Sequence, residues 1–323
     1  MQTVSPRKIV LITGAAGFIG TNLVLRLLDN PYIRVIGVDN LLTSATPTIE
    51  NERFQFMKCD IVTERHLLNA IDHISEIYHL ASIASPPKYK KWPIETLDVN
   101  VIGTRNMLDL AVKHNAKFLL TSTSEVYGDP LVNPQHESYY GNVNTVGERS
   151  CYDESKRCAE TYVYEYRRRH DGDFKICRIF NTYGPHMDLY DGRIVTNIIQ
   201  AILYNDPVTI YGDGTQTRAL CYIDDMVEGL MRLMASSEIG PMNLGNPDTE
   251  MSLNELIEVF EQLVGFPIQR IYVERTENDP IQRKPDISLA KDRLGFYCKV
   301  SLDQGLRETL RHFIYKSREK DIA

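Results

Sequence analysis

Lys8-Ile-Val-Leu-Ile-Thr-Gly14-Ala-Ala-Gly17-Phe-Ile-Gly20 decides the fold of this 323-residue chain. The apolar run Lys8–Thr13 reads as a buried strand, the glycines at 14, 17 and 20 as a tight turn, and Phe18–Asp29 as an amphipathic helix. A strand running straight into a glycine turn and a helix is the context of a dinucleotide-binding unit. There the turn lets backbone amides approach a pyrophosphate, and the helix N-terminus adds positive partial charge. Gly14, Gly17, Phe18, Ile19 and Gly20 are therefore expected cofactor contacts. Nineteen residues after Gly20, Asp39 ends a second strand, followed by Asn40. A carboxylate there accepts from both hydroxyls of an adenosine ribose and repels a 2′-phosphate, so NAD is expected in preference to NADP.

Outward from this unit, Val35–Asp39, Phe54–Cys59, Glu76–His79, Lys117–Ser122 and Phe174–Phe180 read as further strands. Helical spacing over Phe18–Asp29, Glu64–Ala70, Ile94–Asn115 and Asp153–His170 separates them. This alternation predicts an α/β fold, a doubly wound parallel sheet of Rossmann type. Asp60-Ile61 and Leu80-Ala81-Ser82, at the ends of the third and fourth strands, are placed to flank the adenine and the phosphates. After Phe180 the elements shorten and Gly and Pro punctuate them, which predicts a smaller C-terminal substrate-binding unit. The expected division is 1–180 and 181–323. Helices at Ile223–Ala235 and Ser252–Val264 and a strand at Met242–Leu244 predict a return to the sheet near 220–245.

The net charge of -7 argues against a general nucleic-acid binder. Six cysteines are scattered without Cys-x-x-Cys or metal-ligand spacing, so no metal site and reduced thiols in a cytoplasmic setting are expected. No apolar run approaches membrane-spanning length and Met1 to Lys8 lacks the apolar stretch of a signal peptide, so neither membrane nor anchor is expected.

Two clusters carry chemistry. Thr121-Ser-Thr123-Ser124-Glu125-Val-Tyr127-Gly-Asp ends the fifth strand, at the sheet edge where such folds bind ligands. Tyr152 precedes Lys156 by four residues, which sets both on one helical face; an ammonium alongside favours the phenolate and makes Tyr152 a proton acceptor.

Glycine turn, strand-end Thr and Tyr-x-x-x-Lys, in this order and spacing, resemble the extended short-chain dehydrogenase/reductase superfamily. Further segments are similar to its UDP-glucuronate decarboxylase (UDP-xylose synthase) group: Ala84–Tyr89, Thr121–Asp129, Arg149–Arg157, Arg178–Pro185, Asp191–Arg193, Gly214–Arg218 and Asp279–Asp286. Ile83, Lys88, Ser155 and His186 depart from that group, which usually carries Pro, Asn, Gly and Arg there. The resemblance implies a UDP-sugar substrate, NAD and a homodimer paired through the helices at Ile94–Asn115 and Asp153–His170. It implies Thr123, Glu125, Tyr152, Lys156 and Arg218 as catalytic residues, with Tyr152 and Lys156 also at the cofactor. Pro86, Pro87, Tyr89, Glu125, Asn181, Arg193, Tyr211, Arg218 and Arg283 are the implied substrate contacts. The implied reaction is C4 oxidation of UDP-glucuronate, loss of carbon dioxide from the resulting β-keto acid, and re-reduction to UDP-xylose. A UDP-uronate 4-epimerase and a non-catalytic NAD-binding scaffold remain the alternatives. A 4,6-dehydratase ranks third, because Ser124 stands where that group carries an Asp acid.

Overall fold

A computed structural model describes residues 8–274 and 281–322. β1 (Lys8–Thr13) leads through the glycine turn into α1 (Phe18–Leu28), then β2 (Ile33–Asp39) and β3 (Phe54–Lys58). β4 (Glu76–His79) follows, then α2 (Pro86–Lys91), α3 (Pro93–Asp98), α4 (Thr104–His114), β5 (Lys117–Thr123), α5 (Ser150–His170) and β6 (Phe174–Ile179). The central sheet has the order β11-β6-β5-β4-β1-β2-β3, every pair parallel, with β11 defined below. Strand order reverses between β1 and β4, so their carboxyl ends diverge and leave a crevice for a ligand. Both faces of the sheet are covered. Leu11, Ile36, Ile77, Phe118 and Leu120 point into one core, and Val10, Ile12, Val35, Tyr78 and Leu119 into the other. That alternation along each strand is the period-2 pattern of a sheet buried on both sides.

Past β6 the chain forms β7 (Thr182–Tyr183), α6 (Ile194–Tyr204), β8 (Val208–Tyr211), β9 (Thr217–Arg218), β10 (Cys221–Tyr222) and α7 (Ile223–Ala235). β11 (Met242–Leu244) then returns to the sheet beside β6. β12 (Met251–Ser252), α8 (Leu253–Val264), β13 (Arg270–Val273), β14 (Gln282–Arg283), α9 (Ser288–Leu294) and α10 (Leu302–Ile322) complete the chain. Ser252 and Glu255 form a reciprocal capping box that starts α8. β9 lies between β12 and β14, and β8 pairs with β13, giving small sheets separate from the central one.

Two expected elements come out differently. The helix expected over Ile94–Asn115 is three pieces: α3, a π-helical turn over Val99–Gly103, and α4. Gly103 packs against Ile61, where an added Cβ would come within 2.9 Å of Ile61 Cδ1. The wider turn accompanies a buried Asn100 whose Nδ2 donates to Ser155 Oγ at 2.9 Å, a tie from this segment to α5. The second, Glu64–Ala70, is a 3₁₀ helix over Arg65–Ala70.

Buried polar ties fix the crevice. His79 at the end of β4 lies 2.7 Å from Thr13 Oγ1 through Nδ1 and 3.0 Å from Thr104 Oγ1 through Nε2. Burial, aided by the charge of Lys156, pushes this imidazole down to about 3, so it is a neutral strut. Asn243 on β11 accepts from Tyr127 Oη at 2.8 Å and donates to the carbonyls of Gln135 and Asp286 at 3.0 and 3.1 Å. Asn243→Ala strands these groups in the interior, at about 1–3 kcal/mol for each one left unsatisfied. Its urea unfolding midpoint is therefore expected to fall; an unchanged midpoint would mean that water replaces the amide at no cost.

Candidate active site

The crevice opens into a cavity of about 1560 Å³ running from the glycine turn to the end of β5 and the start of α5. At its nucleotide end Gly14 has φ +71°, and a Cβ there would meet Ala81 N at 2.8 Å. A Cβ on Gly20 would lie 2.1 Å from the Gly14 carbonyl oxygen. Only glycine permits this approach of turn, helix and β4. α1 begins at Gly17 with no side-chain cap and no acid in its first turn, which leaves amide donors facing the cavity. Phe18 and Ile19 line the wall there.

Asp39 is held beneath this turn. Its Oδ2 accepts from Ala16 N at 3.1 Å, and its Oδ1 from Leu41 N at 2.9 Å and Ser44 Oγ at 3.0 Å. A carboxylate offers about four lone-pair sites, so capacity remains for a ribose hydroxyl. Asn40 Nδ2 donates to Asp60 Oδ2 at 3.1 Å, which joins the ends of β2 and β3, and Asp60, Ile61, Leu80 and Ala81 line the same wall. Ser82 Oγ, also on the wall, is buried with no hydrogen-bond partner among the described residues. The glycine cradle, open helix terminus, acid and waiting hydroxyl fit an adenine dinucleotide. Among the described residues no group of three or more His, Cys, Asp or Glu side chains could hold a metal.

At the other end α5 presents Tyr152 and Lys156 side by side, both buried. Tyr152 hydrogen-bonds Thr123 and stacks on Tyr89, with centroids 5.4 Å apart and planes within 8°. Lys156 Nζ donates to the Thr121 carbonyl at 3.0 Å and sits 6.0 Å from the Tyr152 ring centre. Burial pushes the Tyr152 phenol up to about 12, against the opposing pulls of the Thr123 hydrogen bond and the Arg193 charge. Burial also pushes the Lys156 ammonium down to about 7. The strongest pulls toward the phenolate come from Thr123 and Arg193. Desolvation is the larger effect in this pocket, and these two groups oppose it.

Glu125 lies one turn beyond Thr123. Its Oε1 meets Arg283 Nη1 at 2.6 Å and its Oε2 meets Arg149 Nη2 at 2.5 Å. Burial alone would raise its carboxyl; the two guanidiniums overcome that and hold it well below the usual carboxylate range. Arg149 lines the cavity, whereas Arg283 stands behind Glu125 and also donates to Ser124 Oγ at 3.1 Å and the Gly128 carbonyl at 3.0 Å. Arg193 reaches the Ala84 carbonyl at 3.0 Å and Asp191 Oδ2 at 2.7 Å, and lines the cavity with Asn181 and Pro86.

Four expected contacts lie elsewhere. Pro87 packs against Gly192 behind the wall, and Arg283 is in the layer behind Glu125. Tyr211 is half exposed at the end of β8, and Arg218 sits on β9, donating to the Thr217 carbonyl at 2.9 Å; neither lines this cavity. The expected motif Asp279–Asp286 begins outside the described residues, at Asp279 and Pro280. Arg149, Asp153 and Asn100 join the site without having been singled out. Arg149 and Asp153 stand three residues before and one after Tyr152, and acid and base at that spacing flanking a Tyr-x-x-x-Lys pair are the signal that sequence offered.

The departures from the resembling group have structural accounts. Ile83 packs with Tyr89 and Tyr152. Ser155 Oγ lies 2.6 Å from the Cys151 carbonyl and receives Asn100. Lys88 Nζ donates to the Thr43 carbonyl at 2.9 Å and Asp188 Oδ2 at 2.6 Å, tying together three residues that line the cavity. His186 has φ +70° and rests against His312, ring centres 4.8 Å apart.

Residues 10–245 match the model of the NAD dependent epimerase/dehydratase family. The chain is 50% identical over 301 residues to UDP-glucuronic acid decarboxylase 5 of Arabidopsis thaliana, covering 92% of this chain and 86% of that one. It is 45% identical over 311 residues to UDP-glucuronic acid decarboxylase 1 of Xenopus tropicalis, covering 95% and 72%. Among solved structures it is similar to UDP-glucuronic acid 4-epimerase from Bacillus cereus in complex with UDP-glucuronic acid and NAD. The TM-score is 0.84 at 29% identity, over 95% of this chain and 99% of that one. UDP-glucose 4-epimerase of Thermotoga maritima with UDP-glucose superposes with a TM-score of 0.88 at 28% identity, over 96% and 99%. With a glycine cradle, an acid beneath it and a buried Thr-Tyr-Lys set matched along nearly its whole length, the chain belongs to the NAD dependent epimerase/dehydratase family of extended short-chain dehydrogenases/reductases, alongside the UDP-glucuronic acid decarboxylases.

Proposed function

We propose that this protein converts UDP-glucuronate to UDP-xylose with NAD, by oxidation at C4, loss of carbon dioxide and re-reduction. The observation that carries the reading is Glu125, held ionised between Arg149 and Arg283 beside Thr123 and Tyr152. An ionised carboxylate paired with Ser124 is a poor acid for expelling water, which disfavours a dehydratase. Together with decarboxylase relatives matched along nearly the whole chain, it favours carbon loss.

Tyr152 takes the 4-hydroxyl proton, with Thr123 hydrogen-bonded to the phenol and placed to hold the same oxygen. NAD, which the glycine cradle and Asp39 would hold, would supply the hydride acceptor for C4 and the donor for its re-reduction. Oxidation makes the C6 carboxylate β to a ketone. The C5–C6 bond then breaks with its electron pair delocalised into the C4 carbonyl, and the hydrogen bonds and cations around Tyr152 stabilise the enolate oxygen. Protonation at C5 restores a saturated carbon. Arg193 and Asn181 on the substrate side fit the diphosphate and uridine end, Arg193 through its planar fork.

The six cysteines are unpaired, which fits a reducing, cytoplasmic setting; no described helix is long and apolar enough to cross a membrane. Exposed Ile94, Ile102 and Tyr164 on the α3–α5 face support a homodimer through a four-helix bundle. Light scattering at twice the chain mass is expected; a monomer at micromolar concentration would remove this part of the reading.

Incubation with UDP-glucuronate is expected to release carbon dioxide and leave a UDP-pentose. A product of unchanged mass, epimeric at C4, would instead make the protein a 4-epimerase. Tyr152→Phe removes the proton acceptor and should lower turnover by about 10²–10⁴-fold; near wild-type rates would exclude Tyr152 as the base. Gly20→Ala, whose new Cβ collides with the Gly14 carbonyl, should release NAD, read as nucleotide lost on gel filtration. Retention of stoichiometric NAD by that variant would place the dinucleotide elsewhere.

A further inference from the structure

Lys88 ties three chain segments together and has no part in the mechanism above. It sits on α2, and its Nζ donates to the Thr43 carbonyl at 2.9 Å and to Asp188 Oδ2 at 2.6 Å. All three residues line the cavity. Thr43 belongs to the loop that follows Asp39, and Asp188 to the segment 185–193 that leads into α6.

The loop after Asp39 holds a strained backbone. Leu41 has φ +63°, a left-handed conformation in which a residue bearing a Cβ is crowded. Such a backbone persists only where its surroundings over-determine it. Some of the support is local: Asp39 Oδ1 accepts from Leu41 N and Ser44 Oγ, and Asn40 Oδ1 accepts from Leu42 N at 3.0 Å. Among the described residues, the one hydrogen bond that reaches residues 41–44 from elsewhere in the chain is that of Lys88 to the Thr43 carbonyl. Segment 185–193, by contrast, is anchored without Lys88. Asn22 Nδ2 donates to the Pro185 carbonyl at 3.0 Å, Ser85 Oγ to the Asp191 carbonyl at 2.8 Å, and Arg193 to the Ala84 carbonyl. Asp188 is therefore the fixed post, and the loop at Thr43 is the part that is held.

We propose that Lys88 is a positioning residue for the cofactor: braced on Asp188, it holds the loop that orients Asp39, and so lengthens the residence of NAD. This rests on the reading of Asp39 as the acceptor for the adenosine ribose. The chemistry demands such a hold. In a cycle where the hydride taken from C4 returns to the same sugar, the cofactor must stay in place from the first step to the last.

Exchange of bound NAD against an excess of isotopically labelled NAD, read by mass spectrometry of the nucleotide kept on the holoprotein, measures this residence. Lys88→Met is expected to exchange about tenfold faster than the wild type, the scale of one lost charge-assisted hydrogen bond. Asp188→Asn should do the same, because its Oδ1 can keep the bond from Tyr190 N while its amide nitrogen faces the ammonium. The double variant is expected to be no faster than either single one. The Lys88–Asp188 pair is partly exposed and adds little global stability, so the unfolding midpoint and the affinity for UDP should stay at wild-type values. Wild-type exchange in Lys88→Met overturns the proposal. So does Asp188→Asn exchanging at the wild-type rate or slower, since Lys88 would then act without its post. Multiplying effects in the double variant, or a parallel fall in unfolding midpoint or UDP affinity, would make Lys88 a general structural tie and overturn it too. Should Lys88→Met fail to fold, Asp188→Asn, a change of one partly exposed side chain, decides. Asp39→Ala separates the underlying reading. If it keeps NAD as the wild type does, Asp39 does not serve the ribose; if it alone speeds exchange, the site reading stands and the brace through Lys88 falls.

Discussion

The guanidinium of Arg283 joins the two halves of this protein at their most sensitive point. It comes from a two-residue strand near the end of the chain, is almost wholly buried, and meets Glu125, Ser124 and the Gly128 carbonyl at the end of β5. A buried ion pair is weak evidence for stability, because desolvation offsets much of the attraction, but removing one partner strands the other charge at about 3–5 kcal/mol. Its worth here is in placement. Glu125 is fixed from one side by Arg283 and from the other by Arg149, so β5, α5 and β14 are registered on one carboxylate. Arg283 Nε remains without a partner among the described residues, one buried donor left over from a geometry set by the other two nitrogens.

The same pocket shows why residue type alone does not set chemistry. Tyr152 and Lys156 are pushed in opposite directions by one cause, the loss of water around them, and each ends nearer its neutral form than in solvent. A buried phenol needs compensation from several sources before it can accept a proton. Thr123 and Arg193 contribute it from β5 and from the loop before α6, which makes the Tyr152–Lys156 pair depend on both halves of the chain.

Much of this was legible in the sequence because it is local. β1, β4, α7 and β11 begin and end at the residues where period-2 or period-3.6 spacing starts and stops, and the glycines that form the cradle sit within seven positions of one another. The π-turn at Val99–Gly103 was not legible, since one extra residue in a turn leaves the apolar spacing on either side intact. The clamp on Glu125 was hidden by distance: Arg283 and Ser124 are 159 residues apart, and no periodicity links them. Tyr211 and Arg218 illustrate the converse. Motifs placed them near the substrate, while the small sheets that hold them set them off the cavity wall. α2, α6, α9 and α10 were not anticipated either; α2 and α9 are too short to display a full helical period.

β11 carries a consequence for how the chain is made. Three residues, Met242–Leu244, cover the outer edge of β6, whose own first four residues are fully buried. On a ribosome, β6 is complete more than sixty residues before its cover emerges. During that interval the sheet presents an unpaired apolar edge, the kind of surface on which a second chain can add a strand. The sequence between them forms β7, β10 and α7, and α7 packs onto β6 without covering its edge. The pairing of Met242–Leu244 with Cys177–Ile179 is therefore what closes this edge of the central sheet, and it does so with residues far along the chain from the strand they cover.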